Sequence, residues 1–471
     1  MSNKGLLNYF LKGFSYSFGT NFISLVIRCA YVFILPRLIN VENFGYWQLY
    51  FLYSNFIHFC HLGLVDGIYL KYGGCLYSEI DREKICPQFW ILVLQGCTFA
   101  TLVYIGSEAT ISDENKLYIF RIIAIDIILM LPRTLLSVVF QATGLIRQFS
   151  MSLLSQEVIG FGLVIIFLVS GISNYEFIIL SDCLARIFSL GLSMYFAADL
   201  IKIPRISFAD FKIAYENIKI GIFLLIANMA SFVTLSVIRI VIEQKWGIIT
   251  FSKISLALSM ANMVMVAISA ASVVMYPLLK RVKAEYYPQI YFVIKNGIVY
   301  GITFLLVFYY PLTFMLKFWL PQYVDSLKFL GIVAPVCLFE AQLVLLCNNF
   351  LNAIRKEKII FEINIIAVLL AGLMSVIAYI IDIEIDILLW YVVLISIFKV
   401  FASEYFLRKE LNLRVREPVC VSVATTIVFI ATAFYFSDGW GLVIYLGYIL
   451  CNLRLFKKTF EKIRKLVNSY S

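Results

Sequence analysis

The chain has 471 residues, of which 62% are hydrophobic and 14% charged, and its mean hydropathy is +0.90. A soluble globular domain is typically about 45–50% apolar and about 25% charged, so this composition excludes a soluble globular protein. The formal net charge of +10 is concentrated in short connections between apolar runs. That placement indicates membrane orientation, and no nucleic-acid partner is predicted.

Apolar runs of about 20 residues follow one another along the whole chain, and each is long enough to cross roughly 30 Å of hydrocarbon as a helix. The pattern predicts an all-α polytopic membrane protein with about fourteen transmembrane helices. The predicted spans lie near 14–36, 47–66, 88–106, 117–140, 151–171, 175–199, 217–241, 247–275, 291–316, 325–352, 359–381, 387–407, 418–436 and 439–456.

The connections between these spans alternate in their content of basic residues. Twenty-six Lys and Arg residues fall on one side of the membrane and five on the other. Because basic connections stay inside, this asymmetry predicts that both termini are cytoplasmic. The basic C-terminal tail is expected to act as an orientation anchor at the inner membrane lipids.

A short internal repeat suggests how the spans are grouped. RLINVENFG (37–45) and RIVIEQKWG (239–247) share an Arg, a Glu, an aromatic residue and a Gly, at the ends of spans one and seven. The match predicts two pseudo-symmetric six-helix lobes around a central cavity. We expect the lobes over 1–200 and 201–410, and two additional helices with the basic cytoplasmic tail over 411–471.

Ionisable side chains inside or at the edges of the spans are the candidates for function. An arginine at the centre of a spanning helix costs at least about 2.5–3.5 kcal/mol on insertion scales, so it needs a partner or a watery cavity. The residues of this kind are Arg28, Asp66, Arg121, Asp126, Arg133, Glu157, Asp182, Arg186, Arg239, Lys253, Lys295, Glu340, Glu362, Lys399 and Glu404.

Several of these residues have a structural explanation. Asp182 and Arg186 are one helical turn apart, and we expect them to pair with each other. The side chains of Arg121, Lys295 and Glu362 lie near span ends and are expected to extend to the lipid headgroups.

Four other cations have no obvious partner in their own helix. Such fixed positive charge suits an anionic substrate, because guanidinium and ammonium groups form charge-assisted hydrogen bonds with phosphate oxygens. These predicted substrate-binding cations are Arg28, Arg239, Lys253 and Lys399. The alternative is that each cation is paired with a carboxylate on another helix. The carboxylates available are Asp66, Asp126, Glu157 and Glu340.

Motifs for catalysis or metal binding are missing. His58 and His61 are the two histidines of the chain, but no third ligand follows at suitable spacing, so hydrogen-bonded interior imidazoles are favoured over a metal site. The ten cysteines are scattered without a C-x-x-C pair. There is no G-x-S-x-G, phosphate-binding glycine loop, H-E-x-x-H or D-x-D sequence. We therefore expect a protein that is not an enzyme, without catalytic residues, metal or cofactor.

Short motifs in the stretch 35–74 resemble a known family. Pro36-Arg37, Phe44-Gly45-Tyr46 and the sequence LGLVDG (62–67) follow one another there. In this order they resemble the start of bacterial polysaccharide repeat-unit (O-antigen) flippases of the Wzx type. That family belongs to the MOP superfamily, which also contains MATE exporters and the lipid II flippase. The stretches 131–149 and 236–263 are similar in the same way.

The resemblance implies a two-lobed transporter that works by alternating access in the bacterial inner membrane. The implied substrate is an undecaprenyl-diphosphate-linked oligosaccharide repeat unit of O-antigen or a similar surface polysaccharide. Arg28 is then a cavity group for the diphosphate, and Asp66, Asp126 or Glu340 takes up a proton or sodium ion to drive the cycle. The implied protein partners are a polysaccharide polymerase and a chain-length regulator.

Two alternatives stay open. A multidrug/cation antiporter of the same fold predicts an acidic cavity, and the buried cations argue against it. A membrane polysaccharide polymerase predicts a large external loop or a clustered catalytic motif. No outer connection exceeds about 15 residues, and no such motif is present. Related flippases commonly have twelve spans, so a count near fourteen is a departure that is similar to the lipid II flippase and leaves the substrate open. The sugar composition of the substrate is not indicated by the sequence.

Overall fold

A computed structural model describes residues 19–203, 205–281, 284–411, 418–436 and 439–452. Within these ranges the chain consists of helices and connecting turns, with no β-strand, so the predicted all-α class is confirmed. The predicted beginning of the first span at 14–18 and the basic C-terminal tail at 453–471 lie outside these ranges.

Seven helices form the first part of the chain. They are α1 (Gly19–Leu38), α2 (Val41–Phe56), α3 (Leu64–Tyr72), α4 (Arg82–Thr110), α5 (Glu114–Ala142), α6 (Ile146–Val169) and α7 (Tyr175–Phe196). A continuous assignment over Phe208–Arg281 follows, but Gly247 interrupts it with φ 78° and ψ 174°. Since that conformation is open mainly to glycine, the segment is two helices, α8 (208–246) and α9 (248–281).

The remaining helices include several broken spans. They are α10 (Tyr287–Leu305), α11 (Tyr309–Trp319), α12 (Val324–Val333), α13 (Val336–Ala341), α14 (Asn348–Ala353), α15 (Glu357–Ile380), α16 (Ile385–Leu411), α17 (Pro418–Tyr435) and α18 (Gly439–Asn452). A 3₁₀ turn joins α10 to α11, and the π-helical turn Gln342–Cys347 joins α13 to α14.

The helices agree with the predicted spans. Among the described residues, ten helical stretches are long and apolar enough to cross a membrane, and the break at Gly247 divides one of them. The broken pair α2 and α3 and the shorter apolar helices α17 and α18 occupy the other predicted positions. The chain is therefore a multi-pass helical membrane protein.

By its internal contacts the chain divides into two compact units, Met1–Met229 and Ala230–Ser471. In the first unit α5 is central, because it packs against α4, α6 and α7 and also touches α2 and α3. In the second unit α16 packs against α15, α12 and α13, and α10 packs against α13 and α17. The lobe boundary predicted at residue 200 concerns the repeat of spans, and it stays a prediction.

The second predicted span is not one continuous helix. Ile57–His61 forms a 3₁₀ turn, and Leu62 and Gly63 then adopt left-handed conformations with φ 51° and 92° before α3 begins. A single unbroken span over 47–66 was expected, so the break is a difference from the prediction. The left-handed pair redirects the chain and turns α3 toward α8.

The contact between α3 and α8 is made by backbone atoms. A Cβ on Gly67 would lie 2.1 Å from the carbonyl oxygen of Asn217, and a Cβ on Gly221 would lie 2.0 Å from the carbonyl oxygen of Gly63. Gly63, Gly67 and Gly221 have no side chain, which allows this approach to the backbone of Asn217, as in other close-packed membrane helices. We call this contact, formed by Gly63, Gly67, Asn217 and Gly221, the glycine crossing.

Candidate functional site

A buried charge cluster lies within the first unit. The Arg186 guanidinium contacts Asp126 through Nη1 at 3.0 Å and Asp182 through Nη2 at 2.6 Å. The Tyr50 hydroxyl lies 2.8 Å from one oxygen of each carboxylate. The side chain of Arg186 is 4% exposed. We call these four residues the first ion centre.

The first ion centre joins three helices through one cation. Tyr50 is on α2, Asp126 on α5, and Asp182 with Arg186 on α7. The predicted pair of Asp182 and Arg186 is confirmed, but the arginine also bridges to α5, which helical spacing alone does not predict. A charge buried this deeply is tolerated only when it is paired, so the cluster ties the three helices together.

Arg28 on α1 also has a carboxylate partner. Its Nη2 lies 3.5 Å from Oε1 of Glu157 on α6, and the two side chains are 59% and 28% exposed. Pairing with Glu157 was the alternative to a free cation, and the structure shows this pair. The Arg28 side chain is nevertheless the more open member, so its outer surface is available to a further anion.

The two histidines lie at the break between α2 and α3. His61 Nδ1 accepts a hydrogen bond from the backbone N–H of Gly63 at 3.1 Å and lies 3.7 Å from Oδ2 of Asp66. The left-handed turn thus brings Asp66 back to His61, although a continuous helix would rotate the two apart. No group of three or more side chains able to hold a metal ion occurs among the described residues.

The second unit contains a different charge pair. Nζ of Lys399 on α16 lies 2.9 Å from Oε1 of Glu340 on α13 and 3.4 Å from the Ser231 hydroxyl on α8. A small cavity adjoins the pair, and Thr234 and Ser396 add hydroxyl groups to its lining. Glu340 remains 22% exposed, whereas Lys399 is 5% exposed. We call Ser231, Glu340 and Lys399 the second ion centre.

The same arrangement of charge recurs along the chain. In the first ion centre an acid on the fourth span, Asp126, pairs with a base on the sixth span, Arg186. In the second, an acid on the tenth span, Glu340, pairs with a base on the twelfth span, Lys399. The two pairs are separated by 60 and 59 residues in the sequence. Each set of six spans therefore carries an acid and a base in corresponding spans.

The short sequence repeat is weaker evidence than the ion pairs that the two sets of six spans correspond. Gly45 lies inside α2, whereas Gly247 adopts φ 78° at the break between α8 and α9. The segments 37–45 and 239–247 therefore differ in backbone conformation at their shared glycine.

The other two predicted cations have partners of their own. Arg239 donates from Nη2 to the Ser255 hydroxyl at 2.9 Å and lies over the Phe251 ring at 5.2 Å. Lys253 Nζ contacts Asp325 at 2.5 Å. The contacts of the described residues thus bring Lys399 and Glu340 together but give Arg28, Arg239 and Lys253 separate environments.

Lys295 was expected to extend to the headgroups, and this prediction is wrong. Its side chain is 1% exposed and forms an ion pair with Glu404 on α16. Arg408, one turn beyond Glu404, contacts the same carboxylate through Nη2 at 3.2 Å. A position near the end of a span in the sequence does not reveal whether the side chain points to lipid or to another helix.

Arg133 on α5 was given no role by the sequence analysis. The residue is 7% exposed, and its Nε is buried without a hydrogen-bond partner. Within the described parts of the chain no hydrogen bond or ion pair reaches its guanidinium. The available sequence signal was an arginine inside an apolar run, LMLPRTLL (129–136), without a carboxylate one turn away.

No protein-family model matches the sequence, and no curated protein matches it. Several solved structures are similar, including the following two. The lipid II flippase MurJ in an inward closed conformation has a TM-score of 0.66 and 13% identity, covering 97% of this chain and 100% of that chain. An inward-facing multidrug resistance MATE family transporter of the MOP superfamily has a TM-score of 0.54 and 13% identity, covering 82% and 98%. The chain therefore has the fold of these MOP transporters.

Proposed function

We propose that this protein is a flippase that translocates an undecaprenyl-diphosphate-linked oligosaccharide repeat unit, of O-antigen or a similar surface polysaccharide, across the bacterial inner membrane by alternating access. The observation that carries the proposal is the pair of acid and base in corresponding spans of each half of a MOP fold, with the base buried in both pairs. A transporter of an anionic headgroup needs such cations, because a diphosphate is stable inside the membrane only beside fixed positive charge.

The second ion centre suggests how cargo and driving ion are linked. Lys399 has one carboxylate partner. If its ammonium group moves from Glu340 to a phosphate oxygen, Glu340 is left without a cation. Glu340 then has to bind a proton or a sodium ion, because an unpaired carboxylate is costly in this setting. Binding of an anion and uptake of a cation are therefore coupled at one lysine.

Arg28 offers a second group to the diphosphate. Its guanidinium is 59% exposed while it contacts Glu157, so several of its donors are free to bind a phosphate in the bidentate geometry that arginine favours. Asp66, which lies beside His61, and Asp126, which is held by Arg186, are the other carboxylates proposed for coupling. Arg239 and Lys253 complete the proposed set of cations.

Strains deleted for the gene provide the decisive test. Lipid-linked sugars are labelled, and their amount, chain length and membrane face are measured together with surface polysaccharide. We expect single repeat units to accumulate on the cytoplasmic face while surface polysaccharide disappears. Single units that reach the outer face and stay unpolymerised would contradict the flippase and favour a polymerase. Unchanged glycans with altered drug resistance would favour the antiporter.

Membrane placement is part of the proposal. Both termini are proposed to be cytoplasmic, with the basic tail at the inner membrane lipids, and a polymerase and a chain-length regulator are the proposed partners. A reporter enzyme fused after Ser471 should be active only in the cytoplasm. Periplasmic activity of the same fusion would overturn the proposed orientation.

A further inference from the structure

Arg133 is an arginine whose charge is not balanced by any direct contact. It lies in the interior of α5, one residue after Pro132, and 93% of its surface is covered by protein. Its Nε is buried without a partner, and among the described residues no ion pair or hydrogen bond to the guanidinium is present. A guanidinium does not lose its proton in proteins, so this group is a buried, unpaired cation.

The carboxylates near Arg133 form ion pairs with other arginines. Asp182 and Glu157 attract its charge from a distance, and Arg186 repels it. Asp182 is bound to Arg186, and Glu157 is bound to Arg28. Oε2 of Glu157 is buried without a hydrogen-bond partner, but within the described ranges neither Glu157 nor Asp182 forms an ion pair with Arg133.

His58, in the 3₁₀ turn after α2, is a further side chain near Arg133 and lies within electrostatic reach of both Arg133 and Arg186. Arg186 is already paired with two carboxylates, so among the described residues Arg133 is the guanidinium of this region that has no direct partner. An anion that binds Arg133 directly would offset the desolvation cost of its burial.

We propose that Arg133 binds a phosphate-type anion, and, if the proposed function holds, that this anion is the diphosphate of the lipid-linked substrate. The five N–H donors of arginine form a planar fork that matches two phosphate oxygens. Arg186 keeps its two carboxylates, and Arg133 makes the direct contact with the anion. Arg133 is thus a specificity-determining residue that favours anionic over neutral lipid cargo.

Purified full-length protein provides the test, with native mass spectrometry of binding in detergent. The probes are undecaprenyl diphosphate, inorganic pyrophosphate and undecaprenol, which carries no phosphate. Arg133→Gln should weaken binding of undecaprenyl diphosphate at least tenfold and leave binding of undecaprenol within twofold. Arg133→Lys, which keeps the charge but loses the fork, should weaken diphosphate binding by about threefold to tenfold.

Arg121→Gln is a matched control on the same helix. Arg121 is 48% exposed and pairs with Glu108, so its loss should change diphosphate binding by less than twofold. Size-exclusion chromatography shows whether each variant is folded. If Arg133→Gln does not fold, Arg133→Lys decides the question. The proposal is overturned if a folded Arg133→Lys protein binds undecaprenyl diphosphate as well as the wild type does.

The outcomes separate this inference from the proposed function. If Arg133→Gln leaves the binding of undecaprenyl diphosphate unchanged, a lipid-linked cargo is supported and the role of Arg133 in binding it is rejected. Arg133-dependent binding of inorganic pyrophosphate without binding of the lipid supports the anion site and rejects the lipid-linked cargo. If the wild-type protein binds none of the anionic probes, both proposals fail.

Discussion

The two ion centres use corresponding spans but hold their cations differently. Arg186 is enclosed by Asp126, Asp182 and the Tyr50 hydroxyl and is 4% exposed. Lys399 has Glu340 as its one carboxylate and lies beside a small cavity lined by hydroxyl groups. The first centre encloses its cation more completely, whereas the second has an adjoining cavity and a single carboxylate partner, which favour a change of partner.

The choice of cation agrees with this difference. A guanidinium is a planar fork that holds two acceptors at fixed angles, so Arg186 can bridge α5 and α7 rigidly. An ammonium group is a compact charge on a flexible stem, so Lys399 can turn from one oxygen to another with little loss. Structural and transport roles are therefore expected to divide between the centres, and substitutions can test that division.

The largest effect is expected from Arg186→Met. The substitution leaves the buried Asp126 and the partly buried Asp182 without a cation, and breaking a buried ion pair costs about 3–5 kcal/mol. We expect little folded protein after detergent extraction, measured as the monodisperse fraction. Asp182→Asn is the control, because Arg186 and Asp126 then remain paired, and that variant should fold. Normal recovery of Arg186→Met would show that the first centre is not structural.

Lys399→Met should affect transport more than stability. Glu340 is left beside a polar cavity where it can bind a proton or water, so the loss of stability is expected to be smaller than for Arg186→Met. Surface polysaccharide should be lost while the protein accumulates. Adding Glu340→Gln should restore any lost thermal stability without restoring transport. Recovery of transport in the double variant would remove Lys399 from substrate binding.

Arg28→Ala is the next test, because the Arg28 side chain is 59% exposed although it is paired with Glu157. Its exposed contact with Glu157 contributes little to stability, about 0–1 kcal/mol, so the protein should insert and accumulate normally. Surface glycan should nevertheless disappear, with partial activity in Arg28→Lys if charge alone matters. Loss of the protein itself would instead assign Arg28 a structural role.

The smallest effect is expected outside the spans. Asp199 accepts hydrogen bonds from Tyr77 at 2.6 Å and from Arg82 at 2.8 Å. Partial burial opposes ionisation, but these two donors together hold the pKa of Asp199 below its ordinary value. Asp199→Asn should therefore lower the melting temperature by no more than about 2 °C near neutral pH.

The sign of the pH dependence follows from that lowered pKa. The carboxylate is ionised above the ordinary aspartate pKa of about 3.9, so the stabilisation is present there and is lost as the pH falls through the lower folded value. Melting curves of both proteins at pH 7 and pH 5 should show the same small difference. A difference that disappears already at pH 5 would contradict the assignment.

The sequence was sufficient for the spans and for contacts within one helix. Apolar runs place the helices because their length is set by the thickness of the membrane, and helical spacing predicts the pair of Asp182 and Arg186. It was not sufficient for contacts between helices. Asp126 and Arg186 are far apart in the chain, and only the packing of α5 against α7 brings them together.

Local backbone breaks were the second difficulty. A run of apolar and aromatic residues predicted one span over 47–66, yet the left-handed pair Leu62 and Gly63 divides it. Gly63 was a signal, but glycine is common inside membrane helices and its conformation depends on its neighbours. The partner that requires this turn, α8, is remote in the sequence, so no local pattern contains the reason for it.

The glycine crossing has a consequence for how the protein is made. Gly63 and Gly67 enter the membrane early, whereas Asn217 and Gly221 are translated only after α4 to α7 have followed. Until α8 arrives, the backbone at the left-handed turn lacks the neighbour that covers it. A nascent chain that stops before residue 208 therefore leaves Gly63 and Gly67 without their backbone partner, and the first six spans alone cannot form the glycine crossing.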